Sequence, residues 1–293
     1  LKKLTYINVS GNELILTNSA PFLLEKFTES ESVNIYNFKG VNQDGKTYLD
    51  NTLDLKDITL EVAIIATSEA ELISYRNQAN KVFNPKLGEG YLIYKDDIKE
   101  RKIKCIINKL PFFNIINNRV SSGLISLTAN NPYWTDIFES KEEIALWISS
   151  FSFSADGSDG LELANGGIEF GYRAPSLIVN TNNTGDVECG IRIEFKALAT
   201  VTNPSLLNIN TGEFIKINKT MVSGETISVS TYFGDKKITT TLDGVTTNIF
   251  NYIDFNSVFL QLDVGDNLMR YDATSGIDNL EVSIYYMPMY LGV

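Results

Sequence analysis

Apolar and polar positions in the first 66 residues alternate in short runs separated by turn-forming pairs, the period-two pattern of half-buried strands. Leu4–Ser10 and Leu14–Leu16 flank Gly11-Asn12, Phe22–Phe27 alternates imperfectly, and Val33–Lys39 alternates well. Asp44-Gly45 then predicts a two-residue hairpin turn into Lys46–Leu53. Ile58–Ala66 is dense in β-branched and apolar residues and predicts a strand buried on both faces.

The period changes at Ser68. Leu72, Tyr75, Ala79 and Val82 recur at three and four, the apolar stripe of an amphipathic helix. Ser68 and Glu71 have the spacing of a capping box, in which a hydroxyl and a carboxylate satisfy amide donors that the first turn leaves unpaired. Asn84-Pro85 stops the helix, because proline has no N–H and disfavours helical geometry in the residue before it. Gly88 and Gly90 then turn the chain into an apolar strand ending at Tyr94. Arg101–Leu110 and Arg119–Ala129 predict two more strands, and Asn131-Pro132-Tyr133-Trp134 predicts the exit from a domain, with both rings packing under its core.

Beyond residue 168 the pattern is strands only, including Ser176–Val179, Gly190–Phe195, Thr226–Thr231, Lys237–Leu242, Val258–Leu262 and Asn279–Met287. Gly212, Gly224, Gly234 and Gly244 follow one another at 12, 10 and 10 residues, a turn rhythm that predicts an antiparallel β-sandwich. The reading is therefore a mainly-β chain: a β-rich domain with one α-helix over residues 1–138, a connector over 139–165 and a sandwich over 166–293.

Composition narrows the chemistry. No apolar run reaches the roughly 18 residues that span a bilayer, and no leader segment or membrane association is expected. The chain has no histidine, which removes Ser-His-Asp and Cys-His catalysis and every His-containing metal site. Cys105 and Cys189 are the two cysteines; two buried reduced thiols are expected, as suits a reducing compartment. Charge is uneven: residues 1–138 carry 16 Lys+Arg against 16 Asp+Glu, and residues 139–293 carry 9 against 20. An acidic half disfavours nucleic-acid binding there.

Each remaining constellation has a plain structural reading. Asp156-Gly157-Ser158-Asp159-Gly160 lacks the ligand order and closing Glu of a calcium loop. Asp96-Asp97 and Glu142-Glu143 are adjacent, so their side chains diverge and make no acid–base dyad. Gly88-Glu89-Gly90 follows a helix instead of preceding one, so it presents no helix N-terminus to a phosphate. Both tryptophans, Trp134 and Trp147, precede the sandwich, which disfavours a galectin-type sugar site. No catalytic, cofactor-binding or metal residue is assigned, no cofactor is expected, and the chain reads as no enzyme.

Several short runs, in this order, resemble one family. They are Leu4-Thr5-Tyr6-Ile7-Asn8, Pro21-Phe22-Leu23-Leu24, Phe83-Asn84-Pro85-Lys86-Leu87-Gly88-Glu89-Gly90 and Asn131-Pro132-Tyr133-Trp134 in the first half. Asn210-Thr211-Gly212-Glu213, Ser223-Gly224-Glu225, Gly234-Asp235-Lys236-Lys237, Gly265-Asp266-Asn267 and Tyr285-Tyr286-Met287-Pro288 follow in the second. The chain resembles the distal tail proteins of long-tailed bacteriophages. One departure is that the family's Asn-Pro-rich run is reduced to Asn203-Pro204. The resemblance implies an N-terminal domain forming a hexameric ring at the far end of the tail tube and a galectin-like C-terminal sandwich. It implies a baseplate hub, assembled in the host cytoplasm, that joins the tube protein to the tail-tip protein, carries receptor-binding proteins and surrounds the DNA exit path without specific nucleic-acid contact. The alternative is a carbohydrate-binding module attaching the tail to host cell-wall polysaccharide.

Overall fold

The structure, a computed structural model, describes residues 3–144, 147–148, 172–173 and 177–293. It divides into two compact units, Leu1–Ile137 with Tyr290–Val293, and Phe138–Met289. In the first unit the strands are β1 (Lys3–Ile7), β2 (Glu13–Leu16), β3 (Phe22–Phe38), β4 (Thr47–Ile65), β5 (Gly90–Lys95), β6 (Glu100–Asn117), β7 (Val120–Ala129) and β8 (Trp134–Asp136), with helix α1 (Glu69–Val82) between β4 and β5. They pair antiparallel in the order β2-β1-β5-β6-β7-β4-β3, and β8 adds to β6 at Arg101 and Lys102.

β6 belongs to two ladders. Glu100–Cys105 pairs with β5, and Ile106–Asn117 pairs with β7. The sequence reads this strand as ending at Leu110, before Pro111. It continues because no strand pairs with the β5 side of residues 106–117 among the described residues, so a proline there removes no inter-strand bond from that edge. The core of this unit holds Leu4, Tyr6, Leu60, Ile64, Leu92, Ile125, Leu127 and Trp134. On β4, Ile58, Leu60, Val62 and Ile64 are buried while Ile65 is exposed and Thr59 and Glu61 are half-buried. The expectation of a strand buried on both faces is thus corrected: one face packs and the other, apart from Ala63, is at least partly open.

The α1 stripe is placed as its spacing predicts, with Leu72, Ala79 and Val82 buried and the Tyr75 ring edge-on to Phe22 at 5.6 Å. Ser68 Oγ accepts from the Glu71 N–H at 3.3 Å. Glu71 reaches back to Thr67, accepting from its N–H at 2.7 Å and its hydroxyl at 2.6 Å, and also from the Tyr75 hydroxyl at 2.7 Å. After the helix, Asn84 caps the turn Pro85–Leu87 through Lys86 N–H. Gly90 is required by packing: a Cβ there would lie 2.6 Å from the Ile7 carbonyl and the Tyr6 hydroxyl. Tyr6 stacks on Phe83 at 4.7 Å, so helix end, turn and β1 form one packed block.

In the second unit the strands are β9 (Ser140–Ile144), β10 (Trp147–Ile148), β11 (Tyr172–Arg173), β12 (Ile178–Asn183), β13 (Cys189–Ala197), β14 (Val201–Thr202), β15 (Ser205–Asn208), β16 (Phe214–Lys216), β17 (Thr220–Met221), β18 (Thr226–Ser230), β19 (Lys237–Leu242), β20 (Val245–Asn248), β21 (Gln261–Leu262), β22 (Gly265–Asp272) and β23 (Leu280–Tyr286). One sheet runs β20-β19-β18-β13-β23-β9 with β21 on β13, and a second runs β12-β22-β15-β16. Ile193, Phe195, Val229 and Ile284 from the first meet Leu206, Ile215, Met269 and Tyr271 from the second in one core, an antiparallel sandwich. Ser140–Ile144, assigned to the connector in the sequence reading, is a strand paired with β23. Residues 156–160 and 166–167 lie outside the described residues.

Candidate assembly surface

The residues weighed for chemistry fall into structural roles. Asp96 caps its own turn, accepting from Ile98 and Lys99 N–H at 2.8 Å each and from the Tyr94 hydroxyl at 3.2 Å; those backbone bonds hold its carboxyl below the usual range. Glu142 and Glu143 sit at successive positions of β9, on opposite faces. Glu89 pairs with Lys104 beside the Gly88 turn, where φ is +80°. Cys105 and Cys189 are free and buried, and burial pushes each thiol up to about 12, which suppresses the reactive thiolate. Among the described residues no three His, Cys, Asp or Glu side chains cluster as metal ligands.

What stands out is surface without cover. β3 and β4 pair from Phe22 opposite Ile64 out to Phe38 opposite Thr47, while β7 lies beside β4 only from Lys56 to Ile65. Past Lys56 the two strands continue as a free ribbon. On it Val33, Ile35, Tyr36, Phe38, Tyr48 and Leu49 are all exposed, several by half or more. Bulges between Leu24 and Lys26, Glu31 and Val33, and Tyr36 and Asn37 break the alternation, which is why the sequence reads the two long strands as separate short ones. The tip also differs from expectation: Asp44-Gly45 does not close a two-residue hairpin. Residues 39–46 form a longer loop, braced by the Gln43 side chain, which accepts from Gly40 N–H at 2.9 Å and donates to Thr47 Oγ1 at 3.0 Å.

The base of this arm is tied by charge. Lys56 continues the core-facing row of β4, yet its side chain is 1% exposed. Its ammonium lies 3.7 Å from Glu29 and 3.3 Å from Glu31, on the matching row of β3, and donates to the Leu291 carbonyl. Burial raises the Glu29 carboxyl despite the Lys56 charge that lowers it. Residues 290–293 complete the roof: Arg101 lies 3.4 Å above the Tyr290 ring and donates to the Gly292 carbonyl, and the Tyr290 hydroxyl reaches Asp136 at 3.3 Å. Sequence reading misses this knot, since its parts come from five separated segments.

The stretch β6-β7-β4-β3 thus ends in two unlike edges. One is Ile106–Asn117 of β6, with Leu110, Phe112, Ile115 and Ile116 exposed. The other is β3 beyond Leu24, where no further strand pairs among the described residues. Long unpaired edges with exposed apolar side chains, at Leu110–Ile116 on one and Val33–Phe38 on the other, invite pairing with another chain.

Residues 9–129 match the model of the phage tail protein RIFT-related domain, and residues 184–290 match the siphovirus-type tail component, C-terminal domain. A search of curated proteins finds no match. Among solved structures the fold is similar to the Dit (gp 19.1) protein of phage SPP1, described as a paradigm of the hub adsorption apparatus in phages infecting Gram-positive hosts. The TM-score is 0.68 at 12% identity, over 98% of this chain and 99% of that one. It is also similar to a chain of the phage P2 baseplate in its activated, calcium-containing conformation, at TM-score 0.53 and 11% identity over the whole of both chains. With tail-component models matching both halves and a fold shared end to end with a tail hub, the chain belongs to the distal tail proteins of siphophages, structural hub components of the phage tail.

Proposed function

We propose that six copies of this chain close into a ring through the first unit, at the far end of the tail, and that the ring joins the tail tube to the tail-tip apparatus. The observation that carries this reading is the pair of unlike open edges on one sheet, β3 and the Ile106–Asn117 part of β6. A contact between unlike patches is heterologous, and repeated head-to-tail it generates a ring when the rotation closes. The number six is the one the family resemblance implies. The uncovered arm supplies apolar area: each Val, Ile or Phe side chain that a neighbour fully covers contributes about 1.5–3 kcal/mol at most. Identical contacts around a closed ring reinforce one another.

In this reading the tube protein and the tail-tip protein are the axial partners, the second unit offers attachment surface for receptor-binding proteins, and DNA passes through the lumen without being read. Assembly takes place in the host cytoplasm, whose reducing conditions suit two free thiols. The role is structural and asks for no catalysis. Mixing the purified chain with tail tubes of the same phage tests it: electron microscopy is expected to show a cap at one end of each tube. Tubes that stay bare at saturating protein, or are decorated along their sides, would contradict the joining role.

A further inference from the structure

In the second unit, β20 closes one side of its sheet and borders an uncovered groove. β19 and β20 are joined by the two-residue turn Asp243-Gly244, with φ of 48° and 78° and Leu242 opposite Val245. In such a hairpin the pair flanking the turn exchanges both hydrogen bonds, and bonded pairs then alternate along the ladder. Val245 and Thr247 therefore direct their N–H and C=O groups at β19. Thr246 and Asn248 direct theirs outward, and among the described residues no strand pairs with that outer side.

The side chains show a second vacancy. A groove of about 420 Å³ borders this strand, lined by Val222, Leu242 and Val245, by three threonines including Thr247, and by Lys219 and Glu225. Val245 is 65% exposed although it lies on the groove-facing side of its strand. The polar pair is already satisfied: Glu225 accepts from Lys219, from the Thr240 hydroxyl at 2.5 Å and from Val222 N–H at 3.1 Å. The unmet needs of the site are backbone hydrogen bonds at strand spacing and cover for aliphatic surface.

We propose that this groove takes an extended peptide segment of a partner protein, added to β20 as a further strand. An extended backbone supplies donors and acceptors to Thr246 and Asn248, and its alternate side chains enter the groove over Val222 and Val245. Residues 139–293 carry 9 Lys+Arg against 20 Asp+Glu, so the fitting segment places Lys or Arg around its apolar residues. A sugar fits less well, because no aromatic ring lines the groove and its charged groups and the Thr240 hydroxyl are already paired. The proposal stands on the second unit alone, so failure of the ring reading leaves it untouched.

The test pans the full chain against a displayed library of random dodecapeptides and measures binding of the enriched peptides. Thr246→Pro removes only an outward N–H, leaving the β19 ladder intact, and Val245→Lys places a cation over the groove. Enriched peptides are expected to alternate apolar residues, to be net basic, and to slow amide exchange at Thr246 and Asn248. Each substitution is expected to weaken them about tenfold or more. Should Thr246→Pro not fold, the exposed Val245→Lys change carries the test. Absence of any enriched peptide, binding unchanged in Val245→Lys, or protection of the edge by soluble cell-wall polysaccharide instead of peptide would overturn it.

Discussion

The Ser68–Glu71 pair and Lys56 show how local chemistry sets this fold, and how differently each is written in the sequence. Ser68 and Glu71 are legible because the capping box is a short-range pattern, and only its detail differs: Glu71 binds Thr67, one residue further back. Hydrogen bonds from the Thr67 hydroxyl, the Thr67 N–H and Tyr75 pull its carboxyl down to about 2. A carboxyl with a lowered folded pKa stabilises fully above its unfolded value of about 4.3, and that stabilisation is lost as pH falls through the folded value. The difference in thermal midpoint between the protein and a Glu71→Gln variant is therefore expected to be constant near neutrality and to shrink between about pH 4.3 and 2. Lys56 has no such signature, since its partners Glu29, Glu31 and Leu291 meet it only in the folded chain. Removing one member of a buried ionic group leaves the others uncompensated. Lys56→Ala is expected to cost about 3 kcal/mol in urea unfolding followed by tryptophan fluorescence. Adding Glu29→Gln and Glu31→Gln to Lys56→Met is expected to restore most of the loss, and a triple variant as unstable as Lys56→Ala would contradict the assignment.

Elements with a strong period are legible, and those that depend on long-range pairing are not. The α1 stripe is read correctly because one face packs at one spacing. The turn Asp44-Gly45 misleads: the same dipeptide type closes a two-residue hairpin at Asp243-Gly244, where flanking strands impose the register, but sits inside a longer loop at the arm tip. β22 is not among the strands read from sequence, since Gly265 and Asp266 open it without a strand pattern, although it lies between β12 and β15 in its sheet. The arm's length is hidden by its bulges. The ribbon from Val33 to Leu53 lies beyond β7, so it is expected to add little to the folding of one copy and, in the proposed ring, to act in assembly. Replacing residues 33–53 by a short glycine-containing turn is expected to leave the thermal midpoint of the monomer within a few degrees and to abolish higher-order assembly in light scattering. A large fall in the midpoint would show that the arm supports the core.

At the scale of the molecule, two units of different character share one chain: the first nearly neutral with two long unpaired strand edges, the second acidic and built around its own core. The first is completed by residues 290–293, so the chain passes through the whole second unit before its first core is roofed. A missing histidine removes the imidazole-based catalytic sets, while the open surface is visible only once β6 is seen to serve two ladders and leave one side open. The central claim is that this surface closes a ring. Native mass spectrometry of the purified full chain, with imaging of the same sample, tests it most directly. A single six-copy species is expected, seen as a ring in which β3 of one copy lies beside Ile106–Asn117 of the next. A protein that stays monomeric at high concentration, or a ring closed through the second unit, would contradict it.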